Sequence, residues 1–197
     1  MKDTVKQYPV TTVLVIINLI MFVICEVTGG SESTTVLLKW GALYVPLSGE
    51  NWYRVITAAF LHAGIRHLLN NMILLSVLGS RIEKMTGKIR YIMIYLASGI
   101  LANVFTAKYY ELKGENLVLI GASGCIFGLM GALIWIVICN KGRVEDMTVQ
   151  SMLLMAALSL YFGFASSGTA NAAHVFGIIF GFVLTVIFYR KGRRVVY

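Results

Sequence analysis

The chain has 197 residues, 58% apolar and only 13% charged, with a mean hydropathy of +0.78 and a formal net charge of +8. Soluble domains carry about a quarter charged residues, and here the apolar segments are too long and too numerous for the polar residues to cover. An ordinary water-soluble fold is therefore excluded, and one membrane-embedded, all-α domain over 1–197 is expected.

Six stretches read as membrane-spanning helices, over 10–27, 56–78, 91–106, 117–139, 148–164 and 172–189. Crossing about 30 Å of hydrocarbon takes about 17 to 20 residues, so several of these are short and should stop below the surface or sit in thinned lipid. The first span has a weakly basic start and no small-residue cleavage site after it, which reads as an uncleaved anchor. Lys2 and Lys6 precede it. Arg81, Lys84, Lys88 and Arg90 separate spans two and three, Lys141 and Arg143 separate four and five, and Arg190, Lys191, Arg193 and Arg194 follow span six. These twelve of the 17 basic residues share one side, against Lys39, Arg54, Arg66, Lys108 and Lys113 on the other. The positive-inside rule then makes both termini cytoplasmic in a multi-pass protein of the cell membrane. Topology and anionic headgroups account for the positive charge, and no nucleic-acid partner is expected.

Polar groups inside a span are costly unless paired or functional. Ser123 stands in Gly121-Ala122-Ser123-Gly124, and His174 opens the run Ala173-His174-Val175-Phe176-Gly177. Spans two, four and six run from outside inward, and His67, Ser123 and His174 each fall in the first turns of one of them. All three reach one level a little below the outer surface, where a site would open outward. A serine hydroxyl becomes a nucleophile only when a base takes its proton, and His174 is the candidate base. His174, Gly177 and Gly181 share one helical stripe, as do Gly124, Gly128 and Gly131. Either stripe alone also reads as plain helix packing; together they let a short serine side chain approach a histidine.

Residue supply excludes other intramembrane chemistries. With three histidines and no His-x-x-x-His or His-Glu pair, no metal site is expected and no cofactor is called for. The two aspartates, Asp3 and Asp146, lie in cytoplasmic segments, so no aspartyl dyad can form. Cys25, Cys125 and Cys139 fit no ligand spacing and read as small apolar packers.

Taken in order, Trp52-Tyr53-Arg54, His62-x4-His67-x3-Asn71, Glu83-x3-Gly87, Gly121-Ala122-Ser123-Gly124 and Ala-His-x2-Gly-x3-Gly at His174 resemble the rhomboid intramembrane serine proteases of the bacterial, six-helix type. The resemblance implies a six-transmembrane-helix bundle with a first outer loop lying partly in the interface, which suits Leu37, Leu38, Trp40 and Trp52 among the charges of 28–55. It implies Ser123 as nucleophile and His174 as general base of a dyad, without an acidic third member. It also assigns oxyanion stabilisation to His67, Asn71 and the backbone N–H of Ser123. Gly121 and Gly124 flank the nucleophile in a supporting role, and Phe127, one turn beyond it, would stack on His174 where the family often has tyrosine. For Asn71 an interhelical hydrogen bond is the competing reading, and neighbouring Asn70 reads more readily as that kind of residue. His62 is expected at the mouth of the site without a catalytic role, and Arg54 and Glu83 as residues that hold loops and helix ends.

The implied activity is hydrolysis of transmembrane segments of membrane proteins through an acyl-enzyme, with membrane lipid as the second partner. Hydrolysis requires a wet cavity open to the outside, and span five, rich in Met, Leu and Phe, is the expected movable wall for lateral substrate entry. Two other classes share some of these features: a proteolytically inactive rhomboid-like binding factor, and a small transporter. The first should lack Ser or His, and the second should show repeat symmetry and interrupted midplane helices; the chain shows neither pattern.

Overall fold

The structure, a computed structural model, describes residues 6–165 and 170–189. Lys2, Asp3, Arg190, Lys191, Arg193 and Arg194 of the charge pattern lie outside them. The helices are α1 (Pro9–Val27), α2 (Thr34–Lys39), α3 (Arg54–Thr57), α4 (Gly64–Thr86), α5 (Lys88–Leu112), α6 (Ser123–Cys139), α7 (Val149–Ala165) and α8 (Asn171–Phe188). Two antiparallel pairs of two-residue strands punctuate them: β1 (Leu43–Tyr44) with β2 (Val118–Leu119), and β3 (Arg143–Val144) with β4 (Met147–Thr148). Helices α1, α5 and α8 are long and apolar enough to cross a membrane, whereas α6 and α7 have 17 residues each, about 25 Å of helix. Helix α4 is long but carries Arg66, His67, Asn70 and Asn71 near one end and Arg81, Glu83 and Lys84 near the other.

Three expected boundaries move, each for a local reason. The helix expected over 117–139 begins only at Ser123, because Leu119 pairs with Leu43 and Val118 with Tyr44 across the first strand pair. The span expected over 56–78 divides: residues up to Phe60 form α3 and a 3₁₀ turn, Leu61 is extended, and α4 starts at Gly64 and runs on to Thr86. Gly87, at φ +81° and ψ 163°, separates α4 from α5 in a conformation that glycine alone adopts readily. The span expected over 91–106 lengthens to all of α5, while the last two shift by a residue at each end.

Helix α6 is the central post. Thirteen of its 17 residues are buried, on every face, and it is apolar all round, as a helix enclosed by neighbours must be. Helices α8, α5 and α4 pack against it. Toward α8 the two backbones touch. A Cβ on Gly177 would stand 2.5 Å from the Gly124 carbonyl oxygen, one on Gly181 would collide with the Gly128 carbonyl, and one on Gly131 with that of Ile178. The glycine stripes thus set the α6–α8 spacing.

Side chains distant in sequence hold the ends. Glu83, near the end of α4, accepts hydrogen bonds from the backbone N–H groups of Val10 (3.0 Å) and Thr11 (2.8 Å) and from the Thr11 hydroxyl (2.8 Å). It thereby caps the first turn of α1, where Pro9 has no donor to satisfy. Arg54 donates from Nη1 to the carbonyls of Leu38 (2.7 Å) and Ala42 (2.8 Å), tying down the outer loop. Within that loop Leu37 packs inward with Cys25 and Leu61, whereas Trp52 is 63% exposed at the rim. At the opposite end, Arg81 pairs bidentately with Asp146 (2.6 and 3.1 Å) and Lys84 with Glu145 (2.7 Å), joining α4 to the hairpin before α7. The Arg81 guanidinium holds the Asp146 carboxyl below the usual carboxylate range.

Candidate active site

The segment leading into α6 is set by the outer loop. Beyond the strand pair, the Gly121 N–H donates to the carbonyl of Ala58 (2.9 Å), and Gly121 takes φ +110°, which strongly favours glycine. The next turn starts α6 with Ser123 as its first residue, half-buried. Ile126 is the first residue whose N–H finds an intrahelical partner, the Ala122 carbonyl at 2.9 Å. Among the described residues, the amides of Ser123 and Gly124 find no intrahelical partner, as at any helix N-terminus, an end that favours negative charge.

His174 lies in the first turn of α8, only 7% exposed. The structure brings it to α6: its imidazole stacks on the Phe127 ring with centroids 4.1 Å apart and planes 3° from parallel. Phe127 is one turn beyond Ser123, so the His174 imidazole stands over the turn that begins with Ser123. Gly124 meets Ala173, the neighbour of His174, at ordinary packing distance, 3.9 Å from its would-be Cβ to the Ala173 carbonyl oxygen. No hydrogen bond joins Ser123 to His174 among the described residues; such pairs commonly tighten only once substrate is bound.

From the other side, α4 presents His67 and Asn71. A Cβ placed on Gly121 would stand 2.9 Å from His67 Nε2 and 3.8 Å from Ser123 Oγ, so imidazole and hydroxyl converge on one spot. Gly121 is the residue that leaves that spot open. Asn71 is buried, and its Nδ2 donates to the His67 carbonyl (3.0 Å) within its own helix, leaving its second N–H and its oxygen uncommitted by that bond. Two expectations are corrected. His62 is not at a mouth: it is 1% exposed and packs edge-on against His67 with ring centroids 5.0 Å apart, because the break before α4 turns it inward. Asn70 makes no interhelical hydrogen bond among the described residues, since the α4 helical phase points it to the exposed face.

Asn171 was not singled out from sequence. It is the first residue of α8, three before His174, and its buried Oδ1 has no hydrogen-bond partner. An asparagine at a helix start reads as a cap, but the three-residue step placing it on the face of His174 was legible.

Residues 49–191 match the family description "Rhomboid domain". The chain belongs to the rhomboid family. Among named relatives of this rhomboid chain, it is 33% identical over 173 residues to the rhomboid protease GluP of Bacillus subtilis, covering 87% of the chain but 33% of that protein. It is 29% identical over 190 residues to the putative rhomboid protease YdcA of the same organism, covering 96% of the chain and 94% of that relative. It is 30% identical over 203 aligned positions to the rhomboid protease AarA of Providencia stuartii, covering 90% and 72%. Family membership and the long apolar helices together make this rhomboid a multi-pass membrane protein.

Proposed function

We propose that the chain is a serine endopeptidase that cleaves transmembrane segments of other membrane proteins, with Ser123 as nucleophile and His174 as general base. The observation that carries the reading is the parallel stack of His174 on Phe127, which holds an otherwise unanchored imidazole beside the turn that starts at Ser123. In the acylation step Ser123 Oγ attacks the scissile carbonyl carbon while its proton passes to His174, and the carbonyl π electrons move onto oxygen. The anion so formed is met by the Ser123 N–H, His67 and Asn71, donors of the sort worth about 2.7 to 4 kcal/mol each. Collapse breaks the C–N bond, His174 returns its proton to the leaving amine, and water then hydrolyses the acyl-enzyme by the reverse proton path.

Six spans with both termini cytoplasmic put this site just below the outer surface, open to water there. Helix α7 is the wall through which substrate enters: Leu153, Leu154, Leu158 and Tyr161 are about half or more exposed. A substrate helix hides its carbonyls in its own hydrogen bonds, so cleavage favours a small residue before the scissile bond and helix-weakening residues nearby, near the outer end of the span.

The test is purification in detergent, reaction with a generic single-span substrate, and mass mapping of the products, wild type against Ser123→Ala. Cleavage near the outer end, lost in Ser123→Ala and accompanied by fluorophosphonate labelling of Ser123, supports the reading. Cuts confined to the cytoplasmic flank reject the topology, and a Ser123 that neither labels nor cleaves returns the protein to the inactive binding-factor class.

A further inference from the structure

Two buried polar atoms near the site lack partners and point to the same place. His174 Nδ1 and Asn171 Oδ1 have no hydrogen-bond partner among the described residues. Both face Gly163 near the end of α7: a Cβ built there would stand 2.5 Å from Asn171 Oδ1 and 3.3 Å from His174 Nδ1. Buried groups of this kind are costly to leave unpaired, and the absence of a side chain at residue 163 is what keeps the space between them open.

We propose that Asn171 is the positioning residue for His174: its side-chain oxygen accepts the Nδ1 proton, directly or through one water held in the space at Gly163. The inference rests on the protease reading above and supplies the third group that a Ser–His pair without an acid lacks. Stacking on Phe127 fixes the plane of the imidazole but leaves open a half-turn rotation about the Cβ–Cγ bond, which keeps that plane and exchanges the ring edges. A hydrogen bond from Nδ1 fixes that rotation and the tautomer together, and leaves the Nε2 lone pair for the Ser123 proton. Asn171 and His174 are three residues apart on α8 and share a face, so the pair is built into one helix. The third wall is Gly163 of α7, so displacement of α7 changes the surroundings of the base.

The experiment compares wild type, Asn171→Leu, Asn171→Asp and Gly163→Ala for kcat, KM, fluorophosphonate labelling rate at Ser123, and Tm in detergent. Expected in Asn171→Leu is a fall in kcat and labelling rate of about a hundredfold, the low end of what a positioned base contributes, with KM unchanged. Asn171→Asp, which keeps an acceptor oxygen, restores most of the rate, while Gly163→Ala lowers the rate by crowding Asn171. If Asn171→Leu lowers only Tm, or Asn171→Asp is as slow as Asn171→Leu at equal Tm, Asn171 is structural and the inference is overturned. A wild-type enzyme that neither cleaves nor labels refutes the protease reading instead, a result distinct from normal wild-type activity with an indifferent Asn171.

Discussion

The imidazole of His174 and the phenyl ring of Phe127 lie face to face, 4.1 Å apart and 3° from parallel, across the contact of α6 with α8. Stacks of aromatic rings contribute about 0.5 to 1.5 kcal/mol beyond burial, and this one orients the imidazole proposed as the base. Phe127→Tyr should keep the stack and most of the activity. Phe127→Leu should lower kcat about two- to tenfold, the rate equivalent of that energy, measured with the same substrate in the same detergent. Equal kcat for the two variants would mean that the ring plane is set by something else.

The dyad, the anion-binding donors and the distant acids should rank clearly. Ser123→Ala and His174→Ala each abolish cleavage, and Asn71→Ala lowers it by about tens to hundreds of fold. Asp3→Ala and Asp146→Ala leave it close to wild type. Asp146 is bonded to Arg81 at the end of α4 away from His67 and Asn71. If Asp146→Ala lost as much activity as Ser123→Ala while remaining folded and inserted, the roles assigned to the dyad would be wrong.

Activity should rise with pH through the titration of His174. Only the neutral imidazole accepts the serine proton, so protonation at low pH removes the base, and raising the pH restores it. A pH–rate profile of kcat checks this, with near-constant secondary structure by circular dichroism as the control. A flat profile from acid to neutral pH would count against His174 as the base.

Glycines along the α6–α8 contact should differ in tolerance. Gly181→Ala drives a methyl into the Gly128 backbone, whereas at Gly124 the nearest atom, Ala102 Cβ, is 3.5 Å from the would-be Cβ. Overpacking against backbone costs about 1 to 3 kcal/mol. Thermal unfolding in detergent should therefore show a clear fall in Tm for Gly181→Ala and a small one for Gly124→Ala; the reverse order would contradict the packing.

What the sequence made legible was local. Ser123 and His174 stand out because polar groups in apolar runs are rare, and the glycine stripes follow from a helical repeat alone. The start of α6 was not legible, because it depends on Leu119 pairing with Leu43, 76 positions earlier in the chain. The burial of His62 depends on a break before α4 that an apolar run conceals. Asn171 was overlooked because its significance comes from Gly163 on another helix, an empty space that no residue letter records.

The cap that Glu83 places on α1 bears on the order of assembly. Synthesis from the N-terminus completes α1 long before residue 83 is made, at about 5 to 20 residues per second. Until then the amides of Val10 and Thr11 have only water or headgroups as partners, and α1 exists as a helix with an open end. It takes its final seat when the far end of α4 arrives with the carboxylate. The first helix to be made therefore waits for the whole of α4 before it is locked, while α5 to α8 are still to come, and Glu83→Ala would be felt as slow or incomplete docking of α1 in a chain whose other helix contacts are unchanged.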